Sequence, residues 1–200
     1  MSLAAPAQAV DAETGDAAVA FVGDLIDHGI SALSDDSLTR GERHEKLRQT
    51  FHHSFATDDI ARLSLGPYWR GASAEDRISF IGALGRFFST VLLRNFPGGD
   101  FRTFSTVDTH DTPEGHLVTD VNTVFVSQNI STPILWSVGK KNGEMKIVDV
   151  AVGGHSLIFT QRDKFEETLR SNGGSIPDLV AAMAHFALFS LDELPDPTTQ

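Results

Sequence analysis

Apolar residues recur at helical spacing through the first half of the chain and at strand spacing after it. Over residues 14–33, Val19, Val22, Ile26 and Ile30 fall three or four apart and share one helix face. Thr39 with Glu42 makes a T-x-x-E capping box, and the helix it opens runs through Leu47 and Phe51 to about Phe55. Thr57, Asp58 and Asp59 cap a short helix, IARLSLG, which Gly66-Pro67 ends; PYWRGA then makes a turn or one more helical turn. Ser73 with Asp76 starts the longest helix, roughly 74–95. Its apolar residues, from Ile78, Phe80 and Ile81 to Val91, Leu92 and Leu93, spread wider than one core-facing stripe, so more than one partner must cover them. Gly82 and Gly85 each cost about 1 kcal/mol against alanine in a helix, which predicts a close neighbour.

NFPGGD at 95–100 breaks the helix, and the period becomes two. Strands are expected at about 101–108, 116–127, 132–140 and 145–152, with Asn142-Gly143 as the turn of the last hairpin. Links this short dictate an antiparallel meander. Two helices follow, at about 156–171 and 176–190, the second opened by Ser175 with Asp178. The expected fold is α+β: a curved antiparallel meander of about four strands, covered by N-terminal and C-terminal helices and enclosing an apolar cavity, similar in outline to the conical nuclear-transport-factor-like proteins. Residues 14–190 read as one domain and 191–200 as a disordered tail. Residues 1–13 read as a leader: Met1-Ser2-Leu3 looks added for expression, and Ala7-Gln8-Ala9 fits the A-x-A end of a secretory signal, although an Ala-rich floppy terminus reads the same.

Composition narrows the function. A net charge of −11 over 200 residues, with no basic run, argues against nucleic acid and for a neutral or apolar ligand. The absence of cysteine removes disulfides, thiolate metal sites and cysteine nucleophiles. No P-loop, G-x-G-x-x-G, G-x-S-x-G or H-E-x-x-H occurs. His52 and His53 are adjacent on a helix, about 100° apart, and cannot both ligate one metal. DTHDTPEGH, with Asp108, His110, Asp111, Glu114 and His116, collects ligand types but reads equally as a polar hairpin loop. No metal, cofactor or catalytic residue is assigned.

Asp149 is the one candidate for acid–base chemistry. On IVDVAV, strict alternation puts Val148, Val150 and Val152 on one face and Ile147, Asp149 and Ala151 on the other. Covered on both faces, Asp149 would be a buried carboxylate of raised pKa, a general base with the sole tyrosine, Tyr68, as its polar companion. Exposed or hydrogen-bonded, it is an ordinary aspartate. Fourteen phenylalanines and two tryptophans suffice to fill a core, but their placement on the wide helix, at Tyr68-Trp69 and on the strand carrying Ile134, Trp136 and Val138 also suits a cavity wall.

Two blocks carry a family resemblance. DDIARLSLGPYWRGASAEDRISFIGALGRFF at 58–88, and KNGEMKIVDVAVGGHSLIFTQRDKFEETL at 142–169 with the following GGSIPDLVAAM, resemble the MlaC-type family, also called toluene-tolerance proteins and including a hopanoid-associated, HpnM-like branch. The resemblance spans about residues 15–190. Its matching positions are Ile60, Ala61, Leu65, Gly66, Tyr68, Trp69 and Arg70, then Lys146 to Val150, Ser156, Leu157, Thr160, Gln161, Arg162 and Phe165. It departs from the family pattern at Met145, where Trp is usual, at Gly153-Gly154-His155, where an acidic residue precedes the glycine, and at Ala56, where Asp or Asn is common. These three sites bear on the cavity mouth.

The resemblance implies a monomeric periplasmic lipid carrier, auxiliary to an ABC transporter, that takes phospholipid or a hopanoid-like lipid. It implies exchange with an inner-membrane MCE-domain protein and an outer-membrane lipoprotein complex. A two-chain lipid in water exposes about 30 methylenes, roughly 24 kcal/mol, so a closed carrier is physically required. The expected lining takes Phe55, Leu65, Tyr68 and Trp69 from the short helices, and Leu84, Phe87, Phe88 and Val91 from the long one. Trp136, Val148, Val150 and Val152 come from the sheet, and Leu157, Ile158, Gln161, Arg162 and Phe165 from the next helix, with Gln161 and Arg162 at the rim. Arg162 would meet a phosphate or bridge to an acidic neighbour. Two other readings remain: a proton-transfer enzyme using Asp149, and an interaction module with a solid interior.

Overall fold

The computed structural model describes residues 12–35, 37–95, 100–111, 117–127 and 130–192. Helices α1 (Ala12–Ser34), α2 (Arg40–Ser54), α3 (Thr57–Leu65), α4 (Tyr68–Gly71) and α5 (Ala74–Asn95) precede strands β1 (Asp100–Asp111), β2 (Leu117–Ser127), β3 (Ile130–Lys141) and β4 (Glu144–Val152). A two-residue strand β5 (His155–Ser156) leads into α6 (Leu157–Ser171) and α7 (Ile176–Asp192). The sheet is an antiparallel meander in the order β1-β2-β3-β4-β5.

Local chemistry explains the boundaries. Thr39 and Glu42 close the capping box of α2 reciprocally. Ser73 and Asp76 do the same for α5: Asp76 donates its N–H to the serine oxygen at 3.0 Å and accepts the serine N–H at 3.2 Å. Asn142 and Gly143 both take positive φ, 55° and 86°, as a two-residue hairpin turn requires.

The interior consists of two cores. In the first, Ala18, Val22, Leu25 and Ile26 of α1 lie on the sheet face formed by Val121, Phe125, Ile134, Trp136, Val138 and Ile147. In the second, α3, α5, α6 and α7 pack around Phe80, Leu84, Phe165, Leu169 and Met183. Phe55 touches both. Close approach accounts for one of the two α5 glycines: a side chain at Gly85 would meet His52 Nε2 at 3.0 Å, whereas Gly82 has only Arg86, of its own helix, nearby. The broad apolar surface of α5 is not wholly covered, because Ile78 remains 73% exposed.

The strict alternation expected along β4 fails at one residue. Ser137 pairs with Asp149 and Val138 with Ile147, so Val148 is the extra residue of a β-bulge. The bulge moves the inward face by one position. Ile147, fully buried, joins Val150 and Val152 in the sheet core, and Val148 turns to the opposite face. There its Cγ1 sits 3.0 Å from where a Cβ on Gly139 would lie, so Gly139 supplies the space it fills.

Candidate functional site

Between the two cores lies a cavity of about 120 Å³. Leu25, Ile26, Gly29 and Ile30 of α1 form one wall, and Ile134, Trp136, Val150 and Val152 of the sheet form another. The helical core supplies Leu47, Thr50 and Phe51 of α2, Phe55 from the α2–α3 corner, Ile60 of α3, Phe88 of α5, and Leu157 and Ile158 of α6. The Trp136 indole is held against the sheet by its N–H, which donates to Thr123 Oγ1 at 2.9 Å. That bond satisfies the ring's one polar atom and leaves hydrocarbon to the cavity.

Of the expected lining, the structure brings Phe55, Phe88, Trp136, Val150, Val152, Leu157 and Ile158 to the cavity. Leu65, Leu84, Phe87 and Phe165 lie in the helical core behind it, with Val91 packed against that core. Tyr68 rests on Gly174, at the α6–α7 turn, and Trp69 is covered by the Arg77 guanidinium, 4.9 Å from the ring centre. Val148 is on the far face of the sheet. Gln161 is buried, not at a rim. Arg162 donates through Nε to Glu166 Oε1 at 2.8 Å, which is the acidic-neighbour arrangement. The α1 and α2 walls were not anticipated; Ile26 with Ile30, and Phe51 with Phe55, each four apart, were the available signal.

Among the described residues, Asp149 is the only ionisable one on the lining. Its carboxylate accepts the Val150 N–H at 2.8 Å and faces donors at the start of α6, Ser156 and the Ile158 N–H, which pull its pKa down. Burial pushes its pKa above the usual aspartate value against the pull of these donors, with a further upward contribution from nearby Asp120. Ser156 meanwhile caps α6 by accepting the Phe159 N–H at 3.2 Å. Tyr68 is not on the lining, so Asp149 and Tyr68 do not converge there.

The departures from the resemblance take ordinary structural places. Gly153 and Gly154, at φ 58° and 85°, make the tight turn that returns β4 into β5, with His155 exposed beside them. Met145 packs against the sheet core, and Ala56 is buried where α3 begins. His52 lies against α5, whereas His53 is exposed and lends its backbone carbonyl to Lys146. Glu114 and His116, and the side chains of Asp108, His110 and Asp111, lie outside the described residues. No helix among the described residues is long and apolar enough to cross a membrane.

A family model described as MlaC protein matches residues 24–185. Among solved structures, the phospholipid-binding protein from Ralstonia solanacearum, determined in complex with a phospholipid, is similar in fold with a TM-score of 0.68. It is 16% identical over 86% of this chain and 98% of that one. No curated protein matches the chain.

Proposed function

The chain belongs to the MlaC family, and we propose on that footing that it is a non-catalytic lipid carrier whose cargo chain lies in the cavity between the two cores. The observation that carries the reading is the lining itself, which among the described residues is hydrocarbon apart from Thr50 and an Asp149 beside the start of α6. Each methylene that leaves water for such a lining gains about 0.8 kcal/mol. That gain is close to what the same group has in a bilayer, so loading and unloading are near balance, as a shuttle needs.

The fuller reading is a periplasmic protein that moves phospholipid or a hopanoid-like lipid between inner and outer membranes as the soluble part of an ABC-transporter system. Its docking partners would be an MCE-domain protein at the inner membrane and an outer-membrane lipoprotein complex. What supports this is family membership and the cargo of the Ralstonia solanacearum protein. The test is native mass spectrometry of protein purified from a bacterial periplasm, with organic extraction of bound material. A lipid of defined stoichiometry is expected. A bare mass, together with failure to take lipid from vesicles, would overturn the reading.

A further inference from the structure

We propose that the seam between α2 and α5 is an acid-released clamp: His44 and His52 hold α2 against α5 while neutral, and their protonation frees the α2 wall of the cavity. The device goes beyond the carrier reading and is independent of what fills the cavity. Both rings are half-buried against α5 and stand eight residues apart, on one side of α2. His44 Nε2 lies 3.2 Å from the Arg86 carbonyl and 3.2 Å from Thr90 Oγ1. The Thr90 hydroxyl gives its own proton to that carbonyl at 2.9 Å. His44 Nε2 therefore faces two acceptors and carries the proton of a neutral ring. His52 fills the space left by a glycine: its Nε2 stands 3.0 Å from where a Cβ on Gly85 would lie. Beside these two sockets Phe51 stacks on Phe88 at 5.4 Å, and Leu47, Thr50 and Phe51 of the same helix line the cavity. Whatever expels the two rings from α5 thus loosens the wall.

The surroundings of both rings disfavour a second proton. Burial, reinforced by Arg48 of α2 and Arg86 of α5, holds both pKa values below the ordinary 6.5, against the pull of the Arg86 carbonyl on His44 and of Glu45 on both. Glu45 is already engaged by Arg48 at 2.7 Å and by Gln49 at 3.0 Å, and Asp58 of α3 adds a weaker upward pull on His52. Of the other elements packed on α2, α1 turns Asp24 and Asp27 to solvent, and β4 commits Lys146 to the His53 carbonyl and to Glu144. A histidine of depressed pKa contributes stability that is complete above pH 6.5 and is lost as pH falls through the folded value. Each ring kept neutral makes opening easier by up to about tenfold per pH unit below 6.5. Asp149, whose pKa is raised, acts with the opposite sign and cannot imitate the effect.

The test is hydrogen–deuterium exchange of the delipidated full chain between pH 7.5 and 5.5, corrected for the pH dependence of intrinsic exchange. Protection of the α2 amides is expected to fall by about tenfold or more across that range while α6 and α7 keep theirs. The double variant His44→Gln with His52→Gln cannot take up the protons, and its α2 protection is expected to stay level. Trp69→Phe leaves Trp136, on the cavity wall, as the sole tryptophan. In that background acrylamide quenching is expected to rise on acidification, and to stay level once both glutamines are added. Wild-type α2 protection that does not change with pH overturns the inference, and so does a loss that persists in the folded double variant. Should the double variant not fold, the assigned imidazole resonances of wild type decide: midpoints below 6.5 for both rings support the clamp, and midpoints at or above 6.5 overturn it. No lipid enters the assay, so failure here leaves the carrier reading standing.

Discussion

Replacing Asp149 separates a helix anchor from a free carboxylate, and pH supplies the discriminating variable. In Asp149→Ala, the Val150 N–H loses its acceptor, and the donors at the start of α6 lose a neighbouring carboxylate. One orphaned donor predicts a loss of about 1–3 kcal/mol. Asp149→Asn keeps an acceptor oxygen and removes the need to bury a charge, so at pH 7 it should lie within about 1 kcal/mol of wild type. Burial raises the folded-state pKa above the 3.8 of the exposed group. Between the two values the folded protein holds a proton that the unfolded chain has lost. The contribution of Asp149 to stability is therefore complete below pH 3.8 and is lost as pH rises through the folded value. Asparagine does not titrate, so the balance between the two proteins must move in favour of wild type as pH falls from 7 to 4. Urea denaturation at pH 7, 5.5 and 4, with m-values compared to confirm two-state unfolding, measures this directly. A balance moving toward the asparagine variant on acidification would mean a lowered folded pKa and refute the assignment.

Three further outcomes are expected. Gly66→Ala places a side chain at φ 54° with its Cβ 2.6 Å from Glu166 Oε1; it should cost about 2–4 kcal/mol in chemical denaturation, part of which Glu166→Ala recovers in the double variant. Trp136→Phe orphans the Thr123 hydroxyl, for a loss of about 1–3 kcal/mol that is smaller when Thr123→Val is already present, as a double-mutant cycle reads. Thr39→Ala removes the α2 cap and should lower stability by about 1 kcal/mol without altering lipid uptake.

The element pattern was legible because its signals are local. Capping boxes at Thr39 and Ser73 act within four residues, and Asn142-Gly143 enforces its turn alone. The cavity lining was harder to read, because it depends on which side of a helix faces the seam. Phe87 and Phe88 are neighbours about 100° apart, and only the docking of α2 and α7 on α5 decides that Phe88 meets the cavity while Phe87 meets Phe186 at 5.1 Å. The Val148 bulge is invisible in the alternation of VDVAV. Its trace lay on the neighbouring strand: Gly139 inside β3 marks a place where another side chain comes close.

That bulge also decides which side chains of β4 face the cavity. On its N-terminal side β4 is fastened to the helices. The Ala56 N–H donates to the Ile147 carbonyl at 2.9 Å, Lys146 Nζ reaches the His53 carbonyl at 2.6 Å, and Lys141 at the hairpin pairs with Asp59 of α3 at 2.7 Å. Ile147 and Val138 are correspondingly buried in solid core. Beyond the bulge, Val150 and Val152 line open space. A bulge bends its strand and increases the local twist, and past it the strand runs on to meet the start of α6 beside Asp149. The gap is then walled by α1 on one side and by the Phe51–Phe88 pair on the other. A single inserted residue between Ile147 and Asp149 thus brings Val150 and Val152 to the side on which Ile147 is buried, where they line the cavity.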